Sequence, residues 1–305
     1  MSILIIILKI NKKNLIVITG PTASGKTSLS IKLAKKNKCS IISCDSRQFY
    51  REMNIGTAKP SQSELKSVPH FFIDNLSIFD TYSAGKYATE VNEFFLKYFK
   101  KNDNLVMVGG SGLFIDAALK GLDSFPIVSN KIRSKLNQDL ELRGLGHLTK
   151  LLKRVDPSYY SKTDLKNPRR VIRALEVYNA SNKPYSSFTN QKNKYREDID
   201  INFIGISPER DLLIDRINSR VDLMMENGLL EEAKTLFKYR NLLPLKTVGY
   251  TELFSYLEDK MTLFESINLI KTNTRKYSKR QMTWFRKNKE IKWFKSHNII
   301  DQIKY

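Results

Sequence analysis

The sequence predicts an α/β fold, a parallel sheet flanked by helices and interrupted by an all-helical insertion, and three observations carry that expectation. Over residues 1–122, short β-branched apolar runs alternate with helical stretches, the β-α-β-α-β rhythm of a parallel sheet. A glycine-rich turn, Gly20-Pro21-Thr22-Ala23-Ser24-Gly25-Lys26-Thr27, follows one of these runs and opens a helix. From residue 123 to 200 the strand signal nearly vanishes, and the composition turns helical, charged and short of glycine after Gly146.

Taken in order, Leu15-Ile16-Val17-Ile18 reads as a buried strand, and the stretch after the turn reads as a helix through Lys36. Ser40-Ile41-Ile42-Ser43-Cys44 is a second strand. Residues 83–101 carry apolar side chains at helical spacing, and Leu105-Val106-Met107-Val108 is a strand ending in Gly109-Gly110. After the helical segment the sheet resumes with Asn202-Phe203-Ile204-Gly205-Ile206, and a long amphipathic stretch over 210–238 is broken near Gly228. A strand returning after the insertion makes the core discontinuous, 1–122 with 201–305, around a helical domain at 123–200.

A chain of 305 residues with 41% hydrophobic content supplies a real core, which excludes disorder. Cys39 and Cys44 make no disulfide framework and no Cys/His cluster for zinc, so a reducing cytoplasm is the expected location. The apolar run at residues 3–8 is far short of a membrane span and lacks a basic leader and a cleavage site. It reads as a strand or as an early start codon, and no membrane partner is expected. Of the three histidines, His70, His147 and His297, none is assigned a catalytic role.

The net charge of +21 and a pI near 9.8 point to a polyanionic partner such as RNA, or to the compositional drift of a Lys-, Asn- and Ile-rich chain. Placement favours the first. Lys271, Arg275, Lys276, Lys279, Arg280, Arg286, Lys287, Lys289, Lys292 and Lys295 crowd residues 271–295, with Tyr277, Trp284, Phe285, Trp293 and Phe294 among them. Cations interleaved with flat rings suit a groove that tracks a nucleic-acid backbone and stacks bases; the same rings at helical spacing would pack a helix onto the core.

The glycine-rich turn is the pattern of a phosphate-binding loop, in which successive backbone N–H groups point inward at phosphate oxygens. In that pattern Lys26 meets the outer phosphates and the Thr27 hydroxyl meets a magnesium ion. Ligands in parallel sheets gather beyond the carboxyl ends of the strands, and Asp45 and Ser111 both follow strands at that edge. The Asp45 carboxylate there binds magnesium, takes a proton from a nucleophile, or caps the next helix. Lys59, in the turn Asn54-Ile55-Gly56-Thr57-Ala58-Lys59-Pro60, meets phosphate or solvent.

The ordered set of motifs resembles the tRNA dimethylallyltransferases, also called isopentenyl-diphosphate:tRNA transferases, of bacterial type. The matching stretches are the loop at 20–27, Asp45-Ser46-Arg47-Gln48, the turn at 56–60, Gly109-Gly110-Ser111-Gly112-Leu113, residues 169–177, and Val248-Gly249-Tyr250, spanning nearly the whole chain. The resemblance implies transfer of a dimethylallyl group from its diphosphate to N6 of adenine 37 in tRNA. It implies a pyrophosphate leaving group held by Gly20, Pro21, Thr22, Ala23, Ser24, Gly25, Lys26 and Thr27, with Arg220 assisting and Mg2+ as cofactor. Asp45 matches the family's general base. Ser111 stands where the family has threonine, which keeps the hydroxyl and loses a methyl.

The same resemblance assigns tRNA contact to Asp45, Ser46, Arg47 and Gln48, to Arg169, Arg170, Val171, Ile172 and Arg173, and to Lys246, Thr247, Val248, Gly249, Tyr250 and Thr251. It implies that the target base flips out of the stack, that the helical insertion closes over the anticodon stem-loop, and that the protein is a cytoplasmic monomer. Two readings compete. A small-molecule or polynucleotide kinase would share the loop and the magnesium but would consume ATP. A non-enzymatic RNA-binding protein with a worn loop would be expected to have lost one of Lys26, Thr27 and Asp45, and all three are present.

Overall fold

A computed structural model describes residues 13–189 and 195–295; the apolar run at 3–8 and His297 lie outside the described residues. In chain order the elements are β1 (Lys13–Thr19), α1 (Lys26–Lys36), β2 (Ser40–Ser43), α2 (Gln62–Ser67), β3 (His70–Phe71), α3 (Ala84–Tyr98), β4 (Asn104–Val108) and α4 (Gly112–Lys120). There follow α5 (Asn130–Val155), α6 (Pro157–Tyr160), α7 (Pro168–Ser181), β5 (Ile199–Ile206), α8 (Arg210–Glu226), α9 (Leu229–Leu236), α10 (Tyr250–Leu257), α11 (Leu263–Phe285) and β6 (Lys292–Phe294). Two compact units result, residues 1–119 with 196–305 and residues 120–195.

The larger unit holds a six-stranded sheet in the order β3-β2-β4-β1-β5-β6, with every pairing parallel. A parallel sheet is covered on both faces, which is why its strands are apolar at successive positions rather than alternating. Ile16, Ile18, Ile41, Val106, Ile204 and Ile206 pack with Leu29, Leu33 and Ala34 of α1. Leu15, Val17, Ile42, Leu105 and Met107 on the alternate positions are equally buried. The expected α/β sheet is therefore present, with two short additions that carry no readable period, β3 and the edge strand β6. Gly205 on β5 lies directly against the Trp293 ring of β6, and Phe294 packs on the core cluster that includes Ile16. Phe285 is buried as well. For these two phenylalanines the structure selects core packing over base stacking.

In the smaller unit α5 is two helical segments joined at Gly144, whose φ of 74° breaks the helix. Leu136, Leu148 and Leu152 of α5 pack against Val171, Ile172, Ala174 and Leu175 of α7. Helix α7 begins with Pro168 at its first turn and Asn167 as cap, whose side chain accepts the N–H groups of Arg169 and Arg170. Among the described residues, no helix is long and apolar enough to cross a membrane.

Candidate active site

The carboxyl ends of β1 and β2 open onto a cleft of about 570 Å³ in the larger unit, and the end of β4 lies beside it, bonded through Gly110 and Ser111 to the lining residues Gln281 and Ser46. The loop after β1 lines it from Thr22 to Thr27, and Asp45, Ser46, Arg47 and Gln48 line it from the end of β2. Gly25 has φ +92°, a left-handed conformation that lets the chain turn sharply into α1. Ala23 is also left-handed, with φ 62°. The Lys26 ammonium is folded back onto the Pro21 carbonyl at 2.6 Å, and the buried Ser24 hydroxyl has no partner among the described residues. A buried hydroxyl without a partner in a loop of this pattern is a donor suited to a ligand oxygen.

Burial lowers the Lys26 pKa to about 8, with Arg220 acting in the same direction and Asp45 opposing. Burial also pushes the Asp45 carboxyl above its usual range, against the N–H of Arg47 and the charges of Lys26, Arg47 and Arg220. The Asp45 carboxylate accepts the Arg47 N–H at 3.1 Å. Arg220, from α8, donates to the Thr22 hydroxyl at 3.3 Å and reaches the same cleft. Ser111 follows β4; its hydroxyl accepts the Ser46 N–H at 3.1 Å and lies 3.1 Å from the Ser46 hydroxyl.

Helix α11 closes the cleft with residues at helical spacing, Ile270, Thr274, Tyr277 and Gln281. Tyr277 faces Ser111 and, chiefly through burial, its phenol is pushed up to about 12, so it stays protonated. Gln281 is buried and bridges two turns: its side-chain oxygen accepts the Thr22 N–H at 2.8 Å, and its amide donates to the Gly110 carbonyl at 3.0 Å. A Cβ at Gly110 would lie 2.2 Å from that amide nitrogen, so glycine is what lets the helix approach. Tyr277 and Gln281 escape a motif reading, yet polar residues on the buried stripe of an otherwise amphipathic helix are a signal that periodicity exposes.

Several sequence assignments separate by side-chain direction. Arg169 and Arg170 are exposed at the start of α7, whereas Val171 and Ile172 are buried in the core of the helical unit and have no side chain to offer RNA. Arg173 stacks on Phe125 and pairs with Glu176, a buried carboxylate that also takes Arg133 at 2.8 Å. Lys246 and Thr251 are exposed, and Thr247, Val248 and Gly249 line the cleft. Tyr250 is fully buried with its hydroxyl 2.6 Å from Glu232, which makes it a scaffold residue rather than an RNA contact. Arg47 and Gln48 hold backbone: Arg47 donates to the Pro244 carbonyl, and Gln48 to those of Thr57 and Ala58. Lys59 is likewise spent, on Asp74 and the Tyr50 carbonyl, so it meets neither phosphate nor open solvent.

Residues 48–288 match the family described as IPP transferase. The chain is 50% identical to a tRNA dimethylallyltransferase of Flavobacterium johnsoniae, covering 96% of this chain and 99% of that protein. It resembles the full-length tRNA isopentenylpyrophosphate transferase of Bacillus halodurans with a TM-score of 0.68 and 35% identity, over 93% of this chain and 90% of that one. A eukaryotic dimethylallyltransferase acting on tRNA aligns with a TM-score of 0.79 and 27% identity, over 94% of this chain and 75% of its own.

Proposed function

The chain belongs to the IPP transferase family, the tRNA dimethylallyltransferases, and from this we infer how its cleft prenylates N6 of adenine 37 in tRNA. The donor is dimethylallyl diphosphate. Its diphosphate would be received by the loop at residues 20–27, which lines the cleft from Thr22 to Thr27, with Lys26 and the Ser24 hydroxyl as donors and Arg220 beside them. As the N6 amine attacks carbon 1, the C1–O bond breaks, its electron pair leaves with pyrophosphate, and these donors stabilise the growing charge.

The proton lost from N6 passes to the Asp45 carboxylate. Burial raises its pKa, which makes Asp45 a better base than an exposed aspartate, while the N–H of Arg47 and the charges of Lys26, Arg47 and Arg220 favour its carboxylate form. The Ser111 hydroxyl fixes Ser46, next to that base. Thr27 is the side chain that would hold a magnesium ion. Thr27 lines the cleft beside Lys26, and its hydroxyl is a hard oxygen donor of the kind magnesium takes together with waters and substrate phosphates. When bound, the ion supplies further neutralisation of the departing pyrophosphate. The exposed Arg169, Arg170, Lys246 and Thr251, with Arg173, are the candidates for tRNA backbone contact.

The observation that carries this reading is the meeting of Lys26, Thr27, Asp45 and Arg220 in one cleft. The test is incubation with dimethylallyl diphosphate, Mg2+ and an unmodified tRNA carrying adenine 37, followed by nucleoside mass spectrometry. N6-dimethylallyladenosine is the expected product. ATP consumption with a small acceptor, and no prenylated base, would move the protein to the kinases.

A further inference from the structure

Glu232, on α9, spends both carboxylate oxygens on four donors from distant parts of the chain. One oxygen accepts the N–H groups of Asn54 at 3.0 Å and Ile55 at 2.8 Å; the other accepts the Gly56 N–H at 3.0 Å and the Tyr250 hydroxyl at 2.6 Å. These donors fill its acceptor sites, so Glu232 has no lone pair left for a substrate. Hydrogen bonds to an ionised acceptor are roughly twice as strong as neutral ones, and three convergent N–H groups fix the turn that carries them. Gly56 presses flat on the Tyr250 ring, where a Cβ would come within 2.7 Å.

The clamped turn is a wall of the cleft, through Gly56, Thr57 and Ala58. From its other side the carbonyls of Thr57 and Ala58 accept the Gln48 side-chain amide at 3.3 and 3.1 Å, and the Gln48 N–H donates to the Asp45 carbonyl at 3.1 Å. Hydrogen bonds thus run unbroken from Glu232 through the turn to the segment that bears the base. We propose that Glu232 is a positioning residue, which holds the turn at residues 54–58 against Gln48 and so sets the geometry in which Asp45 meets the acceptor amine. The inference rests on the prenyl-transfer reading above.

The experiment compares wild type, Glu232→Gln and Gly56→Ala under single-turnover conditions with saturating dimethylallyl diphosphate and tRNA. Glu232→Gln turns one acceptor oxygen into an NH2 group facing other donors; Gly56→Ala leaves the carboxylate intact but forces the turn off it. Both should lower the single-turnover rate constant by about 10- to 100-fold, the cost of a misplacement on the order of 1 Å, with anticodon stem-loop Kd unchanged. A purely structural role lowers the reaction amplitude and Tm but leaves the rate constant of the folded fraction alone. Wild-type rate constants in the variants, or a defect confined to Kd, would overturn the proposal. If Glu232→Gln does not fold, Gly56→Ala decides. Absence of prenyl transfer by the wild type itself would instead defeat the functional reading.

Discussion

Gln281 and Thr22, 259 residues apart, are joined by a hydrogen bond of 2.8 Å from the Thr22 backbone N–H to the Gln281 side-chain oxygen. The other end of the same amide holds the Gly110 carbonyl. Gln281→Leu keeps most of the volume and strands both groups, each costing about 1–3 kcal/mol. The expected outcome is a lower Tm together with weaker pyrophosphate binding, measured by thermal melting and calorimetry. A lower Tm with unchanged affinity would confine Gln281 to the fold.

Lys26 is held near a pKa of about 8 by burial, so its ammonium is complete below that value and lost above it. Diphosphate affinity should therefore weaken as pH rises through 8, and binding at that pH should take up protons as the anion restores the charge. Calorimetry in buffers of different ionisation enthalpy reads both effects. Lys26→Ala should bind more weakly at every pH and lose the uptake; an unaltered uptake would place the titrating group elsewhere.

Asp45→Asn should slow prenyl transfer by roughly 100- to 10,000-fold, the usual loss for a general base, while anticodon stem-loop binding persists. Its folded pKa is raised, so ionisation costs the native state stability, a cost that grows as pH rises from the unfolded value of 3.8 through the folded one. The variant should consequently melt higher than wild type at neutral pH, and the difference should fade in acid. A near-normal single-turnover rate would reassign Asp45 to capping or cation binding.

If Arg173 touches an RNA phosphate, Arg173→Ala should reduce the slope of log Kd against log salt by about one unit and leave turnover at saturating tRNA intact. The helical unit should stay folded, because Glu176 retains Arg133 at 2.8 Å. Salt titrations of stem-loop binding by both proteins measure the slope, and identical slopes would remove Arg173 from the RNA surface.

The sheet was legible because its strands are buried on both faces, and runs such as Leu15 to Ile18 or Leu105 to Val108 admit few other readings. Asp45 and Ser111 were legible through their place after strands. What stayed hidden is reached through space: Gln281, Tyr277 and Glu232 enter the cleft or brace its wall from helices about 170 to 260 residues away from their partners, a separation no local pattern encodes. Motif resemblance also marked whole stretches where geometry divides them. In α7, Arg169 and Arg170 point out while Val171 and Ile172 point in, because adjacent residues on a helix are turned about 100° apart.

The position of β1 between β4 and β5 ties the phosphate-binding loop to the order of synthesis on the ribosome. Its motif is translated early, but the strand's second neighbour, the register of Leu15 with Ile201, comes only after the helical unit has emerged. The loop's anchor, Gln281, comes later still. Such distant pairings make closure slow and concerted. A nascent chain therefore displays the complete loop sequence long before the strand and the helix that hold the loop in place have been made.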